Sequence, residues 1–288
     1  MKGPGDALPT MAQRVARSSP VWVIGRCAAD SLRQELETYP KPGLVSHVDR
    51  GSHDDMDAAT FHASANALEP YFVELAMAGA RGESMQALRR IGLRAERAML
   101  EATHGVNTHR GAIFGLGLLC AAAGWCDGSG DTRRLGDVVA TRWGEEILIG
   151  PRLVGSHGEV ARRRHGAGGA RQEAATGFPG IYATGLPALR HAAKLHDDAE
   201  AVRVHACMAL IAHTEDTNLL HRGGRDGLHF ARQSAAAFLR RGGVGQHHWR
   251  DDAIAVHRAF VERRLSPGGA ADLLAMSLFV QTLGRDAW

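Results

Sequence analysis

The sequence predicts an all-α protein, and three observations carry that expectation. Apolar residues recur at three- and four-residue intervals along most of the chain, as at Met85, Leu88, Gly92, Ala95, Met99 and Ala102. No run sustains the alternation of a half-buried strand. Helix-start residues stand where periodic runs begin: Asp57 ahead of Ala58, and Ser266 with Pro267 ahead of the last apolar run. The expected helices span 22–38, 58–80, 84–103, 111–125, 180–196, 199–213, 227–241, 251–264 and 270–283. At 288 residues, 44% of them hydrophobic, the chain can bury a full core. No composition break marks a linker, so 21–288 reads as a single-domain multi-helix bundle behind a frayed segment, 1–20, rich in Gly, Pro and Ser.

Taken in order, Val21–Ile24 is far too brief for the apolar core of a secretory signal. Helix 58–80 has Asp57 as N-cap and Phe61, Leu68, Phe72 and Leu75 as its apolar face, with Pro70 expected to shift or kink it. The longest apolar run, Ala112–Cys126, is glycine-rich, follows Arg110 and is too short to span a bilayer, so it reads as a buried helix. Regularity is weakest between 127 and 175. There Gly155, Gly158, Gly166, Gly168 and Gly169 surround Arg162, Arg163 and Arg164, as a mobile flap or as a phosphate-contacting loop. Helix 270–283 is entered through Ser266, Pro267 and glycines that permit close approach of a neighbouring helix or a ligand.

Bulk properties narrow the function. Cys27, Cys120, Cys126 and Cys207 show neither CxxC pairing nor a disulfide rhythm, which suits free thiols in a reducing cytoplasm. A formal charge of +3 with scattered arginines, and no aromatic-interleaved basic stripe, suits small anions better than nucleic acid; no membrane partner is expected either. None of the lysines follows a glycine in a Walker A pattern, and GxGxxG, GxSxG and HExxH are absent. His104 and His109 are five apart, the wrong interval for one helical face, so a zinc site is not expected.

The stretch from Glu35 to Asp57 concentrates the chemistry. Pro40 and Pro42 hold Lys41 in a stiff extended loop. Lys2, Lys41 and Lys194 are the only lysines among 34 basic residues, so Lys41 is either a compact ammonium for phosphate oxygens or a stray surface residue. Ser52, His53, Asp54, Asp55 and Asp57 follow. One carboxylate suffices to cap a helix; the others suit Mg²⁺, and metal binding and plain capping stay equally open on spacing alone. Asn107, Thr108, His109 and Arg110 precede the apolar helix, as an anion site at its positive end or as a capped turn. Glu215, Asp216, Asn218, His221 and Arg222 crowd a further junction, as a polar site or as a capped and solvated helix end.

Six ordered stretches, ELETYPKPGLV, GSHDDMD, ATHGVNTHRGAIFGLGLL, TGFPG, DTNLLHRGG and SPGGAADLLA, make the chain resemble the triphosphoribosyl-dephospho-CoA synthase family over most of its length. GLVSHVDRGSH and THRGAIFGLGLLCAAAG are more similar to the branch serving malonate decarboxylase than to the citrate lyase branch. The resemblance implies joining ATP to 3′-dephospho-CoA, giving 2′-(5″-triphosphoribosyl)-3′-dephospho-CoA and adenine, with a downstream transferase or carrier protein as a possible partner. Gln172 stands where the family pattern has glycine, against a phosphate-cradling loop there.

Mapped onto that reaction, Glu35 and Asp216 are the candidate catalytic carboxylates, with Asp216 preferred as base. Asp54, Asp55 and Asp57 would hold Mg²⁺ on the triphosphate. Lys41, Ser52, His53, Asn107, Thr108, His109, Arg110, Asn218, Arg222 and Gly223 would bind phosphate and sugar. Two rivals remain: an all-helical Mg²⁺ diphosphate enzyme of the prenyl-synthase kind, with Asp197 and Asp198 as a weak second acidic motif, and a non-catalytic helical module docking a carrier protein through its arginines. The helical reading as a whole has polar loops converging on one active-site cleft.

Overall fold

The computed structural model describes residues 19–151 and 163–285, among which every regular element is helical. Residues 1–18 of the expected frayed segment, and Gly155, Gly158 and Arg162 of the glycine-rich stretch, lie outside the described residues. In chain order the helices are α1 (Pro20–Leu36), α2 (Ala58–Ala80), α3 (Met85–Ala102), α4 (Arg110–Ser129), α5 (Leu135–Ile149) and α6 (Gly169–Ala175). A π-helical turn, Gly180–Gly185, then leads into α7 (Leu186–Ala192), followed by α8 (Ala199–His213), α9 (Thr217–Arg240), α10 (Trp249–Glu262) and α11 (Gly268–Thr282).

Three differences from the sequence reading have physical causes. Helix α5 occupies part of the stretch read as irregular; Leu135, Val138, Val139, Trp143 and Ile147 form a buried stripe at helical spacing that the surrounding glycines mask. Helix α9 starts ten residues before 227, because a short first arm is joined to the expected one through Gly224 at φ 61°, ψ −157°, a conformation glycine adopts without a Cβ penalty. Pro70 neither shifts nor breaks α2, which runs through it with the ring on the exposed side.

Helix α4 is the axis of the core, packed by α1, α2, α3, α5 and α11. By length and composition it is the one helix among the described residues able to cross a membrane, longer than its apolar run suggests, yet 72% of that window is buried inside the protein. All four cysteines are buried and unpaired. The α2 and α4 backbones meet through glycine: a Cβ at Gly79 would lie 1.8 Å from Ala121 O, and one at Gly124 would lie 1.9 Å from Ala76 O. That contact sets the depth at which α4 sits, and so places its N-terminus beside α11 and the turn after α1.

Gly124→Ala should destabilise the fold by about 1–3 kcal/mol in urea unfolding, because the backbones must separate to admit a methyl group. Gly92→Ala on α3 meets nothing within 4 Å and should be neutral or stabilising by roughly 0.5–1 kcal/mol.

Candidate active site

The site begins where α1 ends. Glu35 lies in the last turn, 4% exposed, and the chain turns back so that Lys41, 0% exposed, ion-pairs with its carboxylate. Lys41 Nζ also donates to the Glu35 carbonyl at 2.7 Å. Burial raises the Glu35 pKa and the ammonium opposes that rise. His257 on α10 pins the loop, with Nδ1 2.6 Å from Lys41 O and Nε2 3.2 Å from Asp49. The lysine expected to present its ammonium to phosphate is thus turned inward, and the reason is the buried carboxylate six residues before it.

The acidic loop docks on the turn between α10 and α11. Ser52 Oγ donates to Leu265 O at 2.7 Å, and His53 Nε2 lies 2.9 Å from Ser266 Oγ. From α9, Arg222 donates through Nη1 to Ser52 O and Arg264 O, both at 3.1 Å, and its Nη2 sits 3.3 Å from His53 Nδ1. Burial first, then the Arg222 charge, lowers the His53 pKa, which Asp55 and Asp54 partly oppose. Asp57 does not belong with the metal candidates: its carboxylate accepts Thr60 N–H at 3.0 Å in a capping box on α2 and pairs with Arg50 at 3.1 Å. Asp54 and Asp55 are exposed. Among the described residues no group of three or more His, Cys, Asp or Glu is placed to hold a metal ion. Asp198, from the weak second acidic motif, caps α8 by accepting Glu200 N–H.

At the start of α4, Asn107 Oδ1 accepts Arg110 N–H at 3.2 Å and Thr108 donates to Ser64 Oγ at 2.8 Å. His109 lies 2.6 Å from the same hydroxyl through Nδ1, while its buried Nε2 has no partner among the described residues. Burial, reinforced by the Lys41 charge, pushes the His109 pKa down to about 3, so the ring is neutral at ordinary pH. Arg110 turns the other way, to Glu96 on α3 at 2.6 Å, which neutralises the charge expected on phosphate.

Two carboxylates join the helix starts. Asp216, 1% exposed, caps α9 through Asn218 N–H at 2.8 Å and Leu219 N–H at 3.2 Å, and reaches across to α11, where Ala270 N–H donates at 3.0 Å. Gly269 also donates to it; burial raises its pKa and these four N–H groups oppose the rise. A carboxylate so occupied is a double cap, which corrects its place as preferred base. Asn218 lies against Gly268, where a Cβ would come within 2.7 Å of Nδ2. Gly223 serves spacing rather than binding: a Cβ there would lie 2.6 Å from Leu265 Cδ2.

The second carboxylate, Asp272 on α11, is not among the sequence candidates. It is half-buried and accepts Ala112 N–H at the start of α4; a Cβ at Gly111 would be 2.0 Å from its Oδ2. Burial, then the nearby Glu35 and Asp216 charges, hold its pKa well above the usual carboxylate range. The available signal is an acid embedded in the apolar run of SPGGAADLLA. Glu35, Lys41, His109, Asp216 and Asp272 therefore form one inner polar centre at the end of α1 and the starts of α4, α9 and α11, while His53, Asp55, Arg222 and Ser266 form an outer patch joined to it through residues 265–270. Gln172 is exposed on α6, and Glu173 beside it accepts Gly180 N–H at 2.6 Å, so that segment is a short helix and not a cradle.

A carboxyl with a raised pKa, held among other carboxylates and helix N-termini, is suited to proton transfer beside an anionic substrate. The chain belongs to the ATP:dephospho-CoA triphosphoribosyl transferase family, whose model matches residues 21–149 and 151–288. It is 40% identical over 269 residues to the 2-(5″-triphosphoribosyl)-3′-dephosphocoenzyme-A synthase of Pectobacterium atrosepticum, covering 88% of this chain and 87% of that one. A Pectobacterium carotovorum protein whose name is the same, preceded by "Probable", is 39% identical over 287 residues, covering 94% and 88%. No solved structure matches at a significant level.

Lys41→Met should cost about 3–5 kcal/mol in urea unfolding because it strands the Glu35 carboxylate, and Glu35→Gln added to it should restore most of the loss. The His109 share of stability should be full above about pH 7 and decline as pH falls from about 6.5 toward 3, since unfolded imidazole takes up a proton there that folded His109 refuses; the raised pKa values of Glu35, Asp216 and Asp272 act in the opposite sense. His205, held at about 4 by burial, adds to the same loss. His109→Gln should flatten the decline of unfolding free energy between about pH 6.5 and 4 without removing the His205 share; an unaltered slope would mean that folded His109 is charged.

Proposed function

We propose that the chain transfers the triphosphoribosyl group of ATP to the 2′-hydroxyl of 3′-dephospho-CoA and releases adenine. The observation that carries this reading is the inner centre, where Asp272 has a single backbone N–H partner while Glu35 is paired with Lys41 and Asp216 is held by the N–H groups that start α9 and α11. The family relationship supplies the substrates. In the reaction the bond from the ribose anomeric carbon to adenine breaks and a bond to the acceptor oxygen forms. The hydroxyl loses a proton and adenine gains one, so a carboxyl able to accept and return it serves both halves. Asp272 fills that role. The negative field of neighbouring carboxylates favours the oxocarbenium-like transition state, and the Lys41 ammonium offsets the Glu35 share of that field.

The outer patch fits the triphosphate. Arg222, seated against His53 Nδ1, offers guanidinium donors, and exposed Asp54 and Asp55 offer the hard oxygen ligands Mg²⁺ takes in one or two carboxylates alongside substrate phosphates. Mg²⁺ bound there would neutralise phosphate charge; Asp57, engaged as a cap, would not contribute. The product would be the prosthetic-group precursor for the acyl carrier subunit of malonate decarboxylase, the branch favoured by GLVSHVDRGSH, made in the cytoplasm and passed to a transferase.

Incubation with ATP, 3′-dephospho-CoA and Mg²⁺ should yield adenine and the triphosphoribosyl product in equal amounts by liquid chromatography and mass spectrometry. Release of ADP or AMP in place of adenine would overturn the reading. Asp272→Asn, which retains an acceptor for Ala112 N–H, should lower kcat about 10²–10⁴-fold with the KM for ATP little changed.

A further inference from the structure

A cavity along α9, with Glu215 in its wall, is absorbed by none of the roles above. It has a volume of about 550 Å³, within the roughly 300–1,000 Å³ of small-molecule sites, and its lining includes Glu215, Leu220, Arg225, Leu228, His229 and Arg232. Glu215 immediately precedes Asp216, so that end of the wall lies one residue along the chain from the inner centre. The rest of the wall comes from α9 on both sides of its kink: Leu220 from the first arm, Leu228 and the cationic residues from the second. Arg225, His229 and Arg232 recur at intervals of four and three residues, which aligns them along one face of the second arm over about 10 Å.

The composition of this wall discriminates between the two substrates. A triphosphate alone asks for cations, and Arg222, whose guanidinium reaches Ser52 and Arg264, belongs to the patch that would serve it. The cavity instead mixes two guanidiniums and two imidazoles, His165 being the second, with the carboxylates of Glu215 and Asp226 and with two leucines. That mixture matches a ligand carrying a diphosphate at one point and an amide-rich, partly apolar arm beyond it. Arginines serve the phosphates, carboxylates accept amide and hydroxyl hydrogens, and leucines pack against the arm's methyl groups. The Nε of Arg232 is already held by Ala212 O at 3.1 Å, which fixes that side chain on the wall.

We propose that this cavity binds the diphosphate and the amide arm of the acceptor, leaving its ribose 2′-hydroxyl at the Glu215 end, the part of the wall nearest along the chain to Asp216. The assignment rests on the reaction proposed above and adds the place of its second substrate. It separates the substrates by chemistry: ATP on the loop and α10–α11 side of α9, the acceptor on the side lined by Arg225 and His229.

The test is steady-state kinetics of the full chain with Arg225→Gln and with His229→Gln, both exposed positions whose replacement leaves the core intact. Thermal melts would verify that both variants fold. Each should raise the KM for 3′-dephospho-CoA tenfold or more while the KM for ATP stays within twofold and kcat within threefold. An unchanged KM for the acceptor, or an equal rise for ATP, overturns the assignment. Calorimetric titration of 3′-dephospho-CoA into the wild-type chain and the Arg225→Gln chain separates this from failure of the reaction itself. If the wild type releases no adenine yet binds 3′-dephospho-CoA in an Arg225-dependent manner, the cavity stands and the reaction falls. If adenine is released but the variant binds the acceptor as tightly as the wild type does, the reaction stands and the cavity falls.

Discussion

The constraint on which the structure depends is that helices must begin inside the protein. A helix start leaves backbone N–H groups without intrahelical acceptors, and burying them unsatisfied is costly. Here α4, α9 and α11 start at one place, and the acceptors are carboxylates: Asp216 serves two helices and Asp272 the third. Each positive helix end makes a buried carboxylate tolerable, and each carboxylate makes a buried helix end tolerable. The close α2–α4 contact through Gly79 and Gly124 follows from the same demand, since α4 must lie deep enough for Ala112 to meet Asp272.

Chemically distinct roles then arise from one residue type by counting partners. Asp216 receives four backbone N–H groups and is fixed as a hydrogen-bond-accepting joint. Glu35 receives an ammonium, so its charge is balanced locally. Asp272 receives one backbone N–H, and burial and the fields of the other two raise its pKa. Lysine at 41, in a chain otherwise committed to arginine, fits this scheme. A compact ammonium fits a fully buried pair against one carboxylate and one carbonyl, where a guanidinium fork would bring further donors with no acceptors.

Much of this was legible in the sequence, and the part that was not has a common cause. Periodicity located nine helices because each buries a stripe, and the stretches 35–57, 105–111 and 213–224 were marked by their unusual density of polar residues. Direction was not legible. Lys41 in a proline-bounded loop looks like an exposed cation, and only the return of the chain onto Glu35 turns it inward. Arg110 reads as a phosphate ligand until α3 supplies Glu96. Asp57, adjacent to two aspartates, reads as a metal ligand until Thr60 completes the capping box. Asp272 was invisible for the opposite reason, being a single acid in an apolar helix with no local crowding to mark it. Local sequence encodes which groups are present; long-range pairing decides which of them remain free.

That distinction bears on where catalytic power can reside in such a centre. A group saturated by fixed donors cannot exchange a proton without unfolding its surroundings, so the carboxylates that hold the helices together are unsuited to carrying protons. The carrier has to be the member with fewest partners, and its pKa has to be set by the others at a distance. The arrangement therefore places structure and chemistry on neighbouring carboxylates rather than on one. In the proposed reaction the double cap at Asp216 would contribute only as a source of field, since its own hydrogen bonds would not have to break.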